Sequence, residues 1–308
     1  MSVDWLIPAL LTIVTAATPL VFAAVGEVVV EKAGVLNLGV EGMMIIGAIA
    51  AFGTAISTGN EVLAILAGAG AGVLLAVIFG VLTVYLQSNQ VATGLALTIF
   101  GLGLSALIGH SYVGKTFGGL AKLNIPWLSE IPVIGPVLFG HDALVYFSVV
   151  SVGIVAWVLT RTRIGLLIRA VGENHDAAHS IGYSVTMVRM GAIAFGGAMA
   201  GIGGAYLSVA YTPLWVENMT AGRGWIALAL VVFASWKPWR AFFGAYLFGG
   251  ITIIQLYAQG MGVEVSAQFL SMLPYIATIV VLVVISRDSA RARLNAPACL
   301  AKNFHTSG

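Results

Sequence analysis

The chain has 308 residues, of which 59% are hydrophobic and only 8% are charged. Soluble domains carry about a quarter charged residues, so this composition excludes an ordinary soluble enzyme and indicates a membrane protein. The formal charge of +2 is small, and the basic residues form no amphipathic face, which argues against nucleic acid as a partner. Cys299 is the single cysteine. It allows no internal disulfide, and we expect it to have no role.

Nine apolar stretches predict an all-α fold, a polytopic transmembrane helix bundle of about 8–9 segments with glycine-rich packing and broken helices. The first stretch carries no basic residue before it and no cleavage signal after it, so we expect it to remain in the protein. The candidate spans are residues 6–26, 39–58, 62–86, 91–109, 143–160, 190–211, 225–235, 241–258 and 270–286.

The seventh stretch, 225–235, is too short to cross a bilayer unaided, and charge decides how it is interpreted. If every stretch crosses, the basic loop 161–189 and the tail 287–308 lie on the same side, as the positive-inside rule requires of the cytoplasm. We therefore predict a transmembrane domain at 1–286, a cytoplasmic tail at 287–308 and an extracytoplasmic N-terminus, in a cell membrane. The basic residues left outside are Lys115, Lys122 and Arg223.

The segment Gly109–Thr116 fits the nucleotide-binding pattern GxxxxGK[ST]. A phosphate-binding loop joins a buried strand to a helix, whereas this segment follows a membrane span and is predicted to lie outside the cell. We interpret the match as chance.

His175 and His179 stand one helical turn apart, with Asp176 where the zinc-protease motif HExxH has Glu. The chain offers no further ligand at a suitable spacing, so the pattern favours a solvated helix over a membrane metalloprotease. We expect no catalytic residue, no metal and no cofactor.

The polar loop 161–189 contains signals for a short helix. Asn174 can cap its start, Asp176 suits its first turn, and Gly182 can end it in the left-handed conformation. Ala177 and Ala178 give the helix little bulk, which favours docking into a groove of another protein. The alternative is a surface helix that lies against the bilayer.

Five stretches carry a resemblance to a known family, in the right order and spacing over nearly the whole chain. The stretches are Glu31-Lys-Ala-Gly-Val-Leu-Asn-Leu-Gly-Val-Glu-Gly-Met-Met, Asn89-Gln-Val-Ala-Thr-Gly, Arg161-Thr-Arg-Ile-Gly, Ala170-Val-Gly-Glu-Asn and Met219-Thr-Ala-Gly-Arg-Gly-Trp-Ile-Ala-Leu-Ala. They resemble the permeases of bacterial nucleoside and simple-sugar ABC importers, in the ribose and branched-chain amino acid permease group, which implies a bacterial inner membrane.

The resemblance implies a cytoplasmic ATP-binding subunit, a second permease in a heterodimer, and an extracytoplasmic solute-binding protein as partners. It also implies a coupling helix for the ATPase, in this chain at Gly172, Glu173, Asn174, Ala177, Ala178 and Gly182. Two departures affect this implication. His175 stands where the family commonly has Pro, and Lys237-Pro-Trp-Arg240 replaces its usual Asn-Pro-Leu-Gly.

Polar residues inside apolar spans are candidates for the solute pathway, because such residues are costly in lipid. A cap on a helix end or an interfacial position is the alternative for Glu41, and Arg223 is expected to be an anchor at the outer interface. Tryptophans near predicted boundaries are interpreted as anchors too. The pathway candidates are Asn37, Glu41, Thr93, Thr98 and Gln255; the tryptophans are Trp5, Trp127, Trp215, Trp225, Trp236 and Trp239.

The predicted function is that of a permease subunit that imports a nucleoside or related small polar solute, with ATP hydrolysed by a partner. Only the resemblance indicates the solute. A simple sugar is the first alternative, and an ion-coupled secondary transporter is a more distant one.

Overall fold

The computed structural model describes residues 6–123, 131, 134–260, 266–286 and 295–305. Within these residues it contains α-helices joined by short irregular segments, and two isolated bridges are the only β pairing. The helices are α1 (Leu6–Lys32), α2 (Val40–Thr58), α3 (Glu61–Gly80), α4 (Gln90–Gly109), α5 (Ile134–Phe139), α6 (Ala143–Arg161), α7 (Arg163–Glu173), α8 (His175–Ser180), α9 (Val185–Tyr206), α10 (Arg223–Phe233), α11 (Pro238–Gly260) and α12 (Ala267–Ser286).

Seven apolar helical stretches in the described part of the chain are long enough to cross a membrane. They are Ile7–Lys32, Val40–Thr58, Glu61–Tyr85, Gln90–Tyr112, Ala143–Arg161, Val185–Tyr211 and Pro238–Gly260, and Arg223–Phe233 is a shorter apolar helix. The prediction of an all-α polytopic bundle is confirmed. The first span was predicted to end at residue 26, whereas α1 continues to Lys32 because its last turns are buried by other helices.

The centre of the bundle is α9, which packs against α1, α2 and α3 through small residues. A Cβ atom on Gly72 of α3 would overlap the carbonyl oxygen of Gly197, and one on Gly47 of α2 would lie 2.5 Å from the Cα of Gly201. These backbones therefore approach as closely as helices can, which is how small residues stabilise helix pairs in lipid.

The bundle has two ends that can be told apart by their contacts. At one end, which we call the α8 end, Arg189 donates from Nε to the carbonyl of Ala33, and α7 and α8 lie close by. At the other, the distal end, Trp215 packs against Gly109 at the end of α4, and Thr116 pairs with Leu214.

Helix α2 begins inside the bundle and not at the α8 end. Residues 33–39 run inward along α4, so that a Cβ on Gly94 would lie 2.8 Å from the amides of Leu38 and Gly39. Thr98 donates from Oγ1 to the carbonyl of Leu38 at 3.0 Å. Thr98 lies roughly 12 Å along α4 from Gln90, at 1.5 Å of rise per residue, and α2 starts at about this depth.

The seventh stretch has a similar break. Chain 212–222 enters from the distal end without a helix, and α10 covers the remaining distance to the α8 end, where Trp236 donates from Nε1 to Glu31 at 2.6 Å. The prediction that this stretch passes from one end of the bundle to the other therefore agrees with the path of the chain. Its first half is irregular, which the apolar pattern does not reveal.

Two tryptophans that were predicted to be interfacial anchors are core residues. Trp215 and Trp236 are buried, because the first packs among Ile45, Ile49 and Phe52 and the second binds Glu31. Trp225 and Trp239 are exposed. Trp5 and Trp127 lie outside the described residues.

Residues 295–305 of the predicted tail pack onto the α8 end. The Cys299 amide donates to the carbonyl of Gly172 at 2.8 Å, and Asn303 donates from Nδ2 to the carbonyl of Gln87 at 2.6 Å. Cys299 is therefore buried within this contact.

Candidate functional site

Glu41 joins the two broken helices at the middle of the bundle. Its carboxylate accepts hydrogen bonds from Thr220 Oγ1 at 2.5 Å and from the amides of Gly222 at 2.8 Å and Gly224 at 2.6 Å. These amides belong to the start of α10, where a helix has free donors and a positive partial charge. Glu41, which is 2% exposed, thus caps α10 from the first turn of α2.

The close approach of α10 to α2 requires glycine at position 224. A Cβ atom there would lie 2.6 Å from both the nitrogen and the Cα of Glu41. The sequence motif around Gly222 and Gly224 therefore has a packing explanation that spacing alone could not supply.

Arg223 lies between these two glycines and hence inside the bundle. The prediction of an interfacial anchor at the outer end was wrong, because the irregular first half of the crossing carries Arg223 to the depth of Glu41. Its Nη1 donates to the carbonyls of Met219 at 2.9 Å and Thr220 at 3.3 Å, and its guanidinium lies 5.8 Å from the centre of the Tyr211 ring.

A cavity of about 210 Å³ adjoins Arg223, and we call it the α10 cavity. It lies between α1, α10 and α11. Its lining residues are Ala16, Leu20, Tyr211, Ala221, Arg223, Ile226, Phe248, Gly249, Thr252 and Gln255.

Gln255 is the one predicted pathway residue that lines the α10 cavity. Its side chain is 8% exposed and makes no hydrogen bond to any residue that the structure describes. Thr252 lines the same cavity, but its Oγ1 donates to the carbonyl of Phe248 at 3.0 Å.

The other pathway candidates do not line this cavity. They form hydrogen bonds elsewhere in the bundle. Asn37 donates from Nδ2 to Glu27 at 3.2 Å and accepts from the amide of Gly39 at 3.0 Å, which fixes the approach to α2. Thr98 binds the same approach through Leu38, and Thr93 lies 2.8 Å from Ser88 near the α8 end.

Two buried acids of α1, Glu27 and Glu31, were not predicted from the sequence as residues of interest. Glu27 and Glu31 are fully buried one helical turn apart, and Oε2 of Glu27 and Oε1 of Glu31 have no partner among the described residues. The run Val28–Val30 between them is apolar, so extending the first span to Lys32 would have placed both acids inside the bundle.

The short helix α8 has the ends that the sequence predicts. Asn174 Oδ1 accepts from the amide of Ala177 at 3.0 Å, and Gly182 has φ +92°. Ala177 is exposed, whereas Ala178 is buried against Val171, Val185 and Phe304. Ala178 therefore holds α8 to the bundle and does not face outward.

One side of α8 continues into an exposed patch that we call the α8 surface. Its apolar part is formed by Ile181, which is 71% exposed, and Met187, which is 74% exposed. In a membrane protein, exposed apolar side chains such as these contact either lipid or another protein. The α8 surface consists of Glu173, Asp176, Ala177, His179, Ser180, Ile181, Tyr183 and Met187.

Residues 9–285 match the family model described as the branched-chain amino acid transport system / permease component. The chain belongs to this permease family. The resemblance found in the sequence is thus confirmed, and the chain is a multi-pass transport subunit of the ABC class.

Three relatives resemble this permease over most of their length. The chain is 38% identical to the putative glucose ABC transporter permease protein TsgC13 of Haloferax volcanii, over 95% of each protein. It is 34% identical to the nucleoside permease protein NupC of Lactococcus lactis and 31% identical to the guanosine permease protein NupQ of Bacillus subtilis, over 86% of this chain and 88% of the relative in both cases. No solved structure matches the chain.

The two histidines of the HDxxH pattern have packing roles in this permease. His175 and His179 each contact the ring of Phe304, with ring centres 5.3 Å apart. The pKa of His175 is lowered by burial and by the charge of Arg189, whose Nη2 lies 3.1 Å from His175 Nδ1. Among the described residues, no group of three or more His, Cys, Asp or Glu is placed to hold a metal ion.

The nucleotide-binding pattern at Gly109–Thr116 lies at the distal end of the permease. It follows helix α4 directly, where a phosphate-binding loop would follow a strand, and Lys115 Nζ lies 5.1 Å from the centre of the Tyr112 ring. The indole of Trp215 occupies the space beside Gly109.

Proposed function

We propose that this permease imports a nucleoside, powered by ATP hydrolysis in a partner subunit. The observation that carries the proposal is the full-length similarity to NupC and NupQ, which are named as nucleoside and guanosine permeases. A simple sugar is the alternative, favoured by the 38% identity to TsgC13. Nucleosides and sugars share a hydroxylated ring.

The α8 surface is the proposed contact with the ATP-binding subunit. Glu173 and Ala177 of this surface are exposed, as are Asn174 and Gly182 beside it, so all four can touch a partner. Gly172 and Ala178 are buried and position the helix. This assignment places the α8 end and residues 295–305 in the cytoplasm. Motion of the ATPase would then act on α8 and change the access of the bundle.

The proposed partners also include a second permease and an extracytoplasmic solute-binding protein. Two organisms each have a pair of permeases that resemble this chain: NupC and NupB in L. lactis, and TsgC13 and TsgB13 in H. volcanii. Such pairs support a heterodimer. The permease itself has no proposed catalytic residue.

Reconstitution tests this function. The permease, its partner permease, the ATPase and the binding protein are placed in proteoliposomes, and uptake of radiolabelled nucleoside is measured. We expect uptake only with the full set and ATP. Uptake by the permease alone under an ion gradient would overturn the proposal in favour of a secondary transporter.

The coupling role of the α8 surface is tested by Ala177→Trp, with Ala121→Trp in an exposed loop at the distal end as the matched control. We expect Ala177→Trp to prevent co-purification of the ATP-binding subunit while Ala121→Trp retains it. Normal co-purification and uptake with Trp at position 177 would show that the ATPase binds elsewhere.

A further inference from the structure

We infer that the α10 cavity binds the adjacent hydroxyl groups of one sugar ring, with Arg223 as a hydrogen-bond donor and Gln255 as both donor and acceptor. This inference rests on the proposed function, because it assigns the part of the solute that the permease itself recognises. Both side chains line the same small cavity.

Arg223 presents free donors to the cavity. A guanidinium has five N–H groups, and the hydrogen bonds to Met219 and Thr220 use only Nη1. Nε and Nη2 make no hydrogen bond to the described residues, and no ion pair within 4.0 Å joins Arg223 to a described acid. The side chain is held in place by its carbonyl contacts and by the face of Tyr211.

Neutral hydroxyl groups suit the donors of Arg223. The carboxylate of Glu41 accepts from the amide of Gly224, the neighbour of Arg223, and does not pair with the guanidinium itself. Hydroxyl oxygens can accept hydrogen bonds from Arg223 without carrying a charge of their own into the bundle.

Gln255 supplies the hydrogen-bond acceptor that a guanidinium such as Arg223 lacks. Its amide carries two donors and a carbonyl acceptor, is nearly fully buried, and is unpartnered among the described residues. Buried amides are normally hydrogen-bonded, so a free one that lines a cavity indicates a ligand or water. A hydroxyl oxygen can accept from Arg223 while the hydroxyl on the next carbon donates to the Gln255 carbonyl.

The α10 cavity has room for a sugar ring. Its volume is about 210 Å³, and it is open on one side. The apolar side chains of Leu20 and Ile226 can contact the carbon-bound hydrogens of a sugar ring, while the face of Tyr211 is already occupied by Arg223.

The first test is chemical protection, which needs no ATP. In a Cys299→Ser background, Thr252→Cys places a thiol in the cavity at a position whose hydroxyl is committed to Phe248. Labelling by a small thiol reagent is measured in nanodiscs with a ribonucleoside, with glucose and with a 2′,3′-dideoxynucleoside. We expect the first two to slow labelling and the third to leave it unchanged. Equal protection by all three ligands, or by none, would overturn the inference.

The second test compares variants for selectivity. Uptake of a ribonucleoside and of its dideoxy analogue is measured in the reconstituted importer with one binding protein, so that the contribution of that protein cancels between variants. We expect Gln255→Leu to lower the ribonucleoside to dideoxynucleoside ratio about tenfold, equivalent to about 1.4 kcal/mol. Gln259→Leu, the same substitution one turn further along α11 and outside the lining of the α10 cavity, is the control and should keep the ratio.

The two tests separate this inference from the function on which it rests. If the wild-type complex shows no ATP-driven uptake but the hydroxylated ligands still protect Thr252→Cys, the proposed function fails and the hydroxyl site stands. If uptake is ATP-driven but Gln255→Leu and Arg223→Leu both keep the wild-type ratio, the hydroxyl site is wrong and the importer stands.

Discussion

At the scale of single residues, the contact of Glu41 with α10 has the most direct energetic consequence. Glu41→Ala removes the acceptor of three donors, of which those of Thr220 and Gly224 are buried and that of Gly222 is partly buried. Each buried unpaired donor costs about 1–3 kcal/mol, so we expect a loss of at least about 2 kcal/mol in the free energy of unfolding. Thermal unfolding of the purified permease measures it.

Thr220→Val is the control for this prediction. It removes one of the three donors together with its hydrogen bond to Glu41, so its expected cost is only about 1 kcal/mol. A Glu41→Ala protein that unfolds at the wild-type temperature would contradict the role of Glu41 as the cap of α10.

A second residue-scale prediction concerns acid. Burial, and then the charge of Arg189, lower the pKa of His175 in the folded protein, so the unfolded chain takes up this proton first as the pH falls. The stability contributed by neutral His175 is full above about pH 6.5 and is lost as the pH falls through the lowered pKa. We expect the stability difference between wild type and His175→Gln to shrink or reverse over that range.

Melting temperatures of the two proteins from pH 7.5 downward measure this difference. The other titratable groups around His175 are Asp176, Lys302 and His305, and they are common to both proteins. A difference that does not change with pH would show that His175 stays neutral or stays charged throughout.

The roles of some residues could be predicted from their neighbours in the sequence, whereas the roles of others depend on contacts with distant parts of the chain. The cap at Asn174 and the left-handed Gly182 depend on neighbours within a few positions, and both were visible in the sequence. Trp236 was misjudged because its partner, Glu31, lies more than a hundred residues away in the chain. Hydropathy cannot distinguish an indole at an interface from one bound to a buried acid.

At the scale of elements, the contact between α3 and α9 can be tested with two neighbouring glycines. A Cβ on Gly72 would overlap Gly197 and approach Gly201, whereas a Cβ on Gly70 would meet nothing within 4 Å. We expect Gly72→Ala to lower the melting temperature clearly. Gly70→Ala should leave it unchanged or raise it, since Ala is favoured over Gly in helices by about 1 kcal/mol. Similar effects at both positions would contradict the close packing.

The broken elements show why the candidate site was only partly predictable. The apolar pattern placed the seventh stretch at 225–235, two residues later than α10 at both ends, and it could not show that 212–222 descends into the bundle as irregular chain. That descent depends on Glu41, which offers acceptors to a segment about 180 residues later in the sequence. Arg223 was therefore placed at an interface, while Gln255, inside a regular helix, was correctly placed in the interior.

At the scale of the whole molecule, the paths of the helices predict which loops share a side of the membrane. Ser180 lies at the α8 end and Lys115 at the distal end, and both are exposed. In a Cys299→Ser background, we expect an impermeant thiol reagent applied to intact cells to label Lys115→Cys and not Ser180→Cys. In inverted vesicles the result should be reversed. Labelling of both from the same side would contradict the described crossings.

The fold class was predictable because composition and apolar length fix it almost alone. A chain with 8% charged residues cannot cover a soluble surface, and the seven sufficiently long apolar stretches within the described residues require a bundle. The packing order was not predictable, because glycine-rich faces on α2, α3 and α9 fit one another in several arrangements.

Residues 295–305 also set an order of events during biogenesis. They contact Gln87, Gly172 and Arg189, all of which leave the ribosome more than a hundred residues earlier. Chains begin to fold while they are being made. The contacts of α8 with Phe304, through His175 and His179, can therefore form only after residues 295–305 have been synthesised. An ATPase that binds the finished α8 surface would thereby distinguish completely inserted permeases from chains that are still emerging.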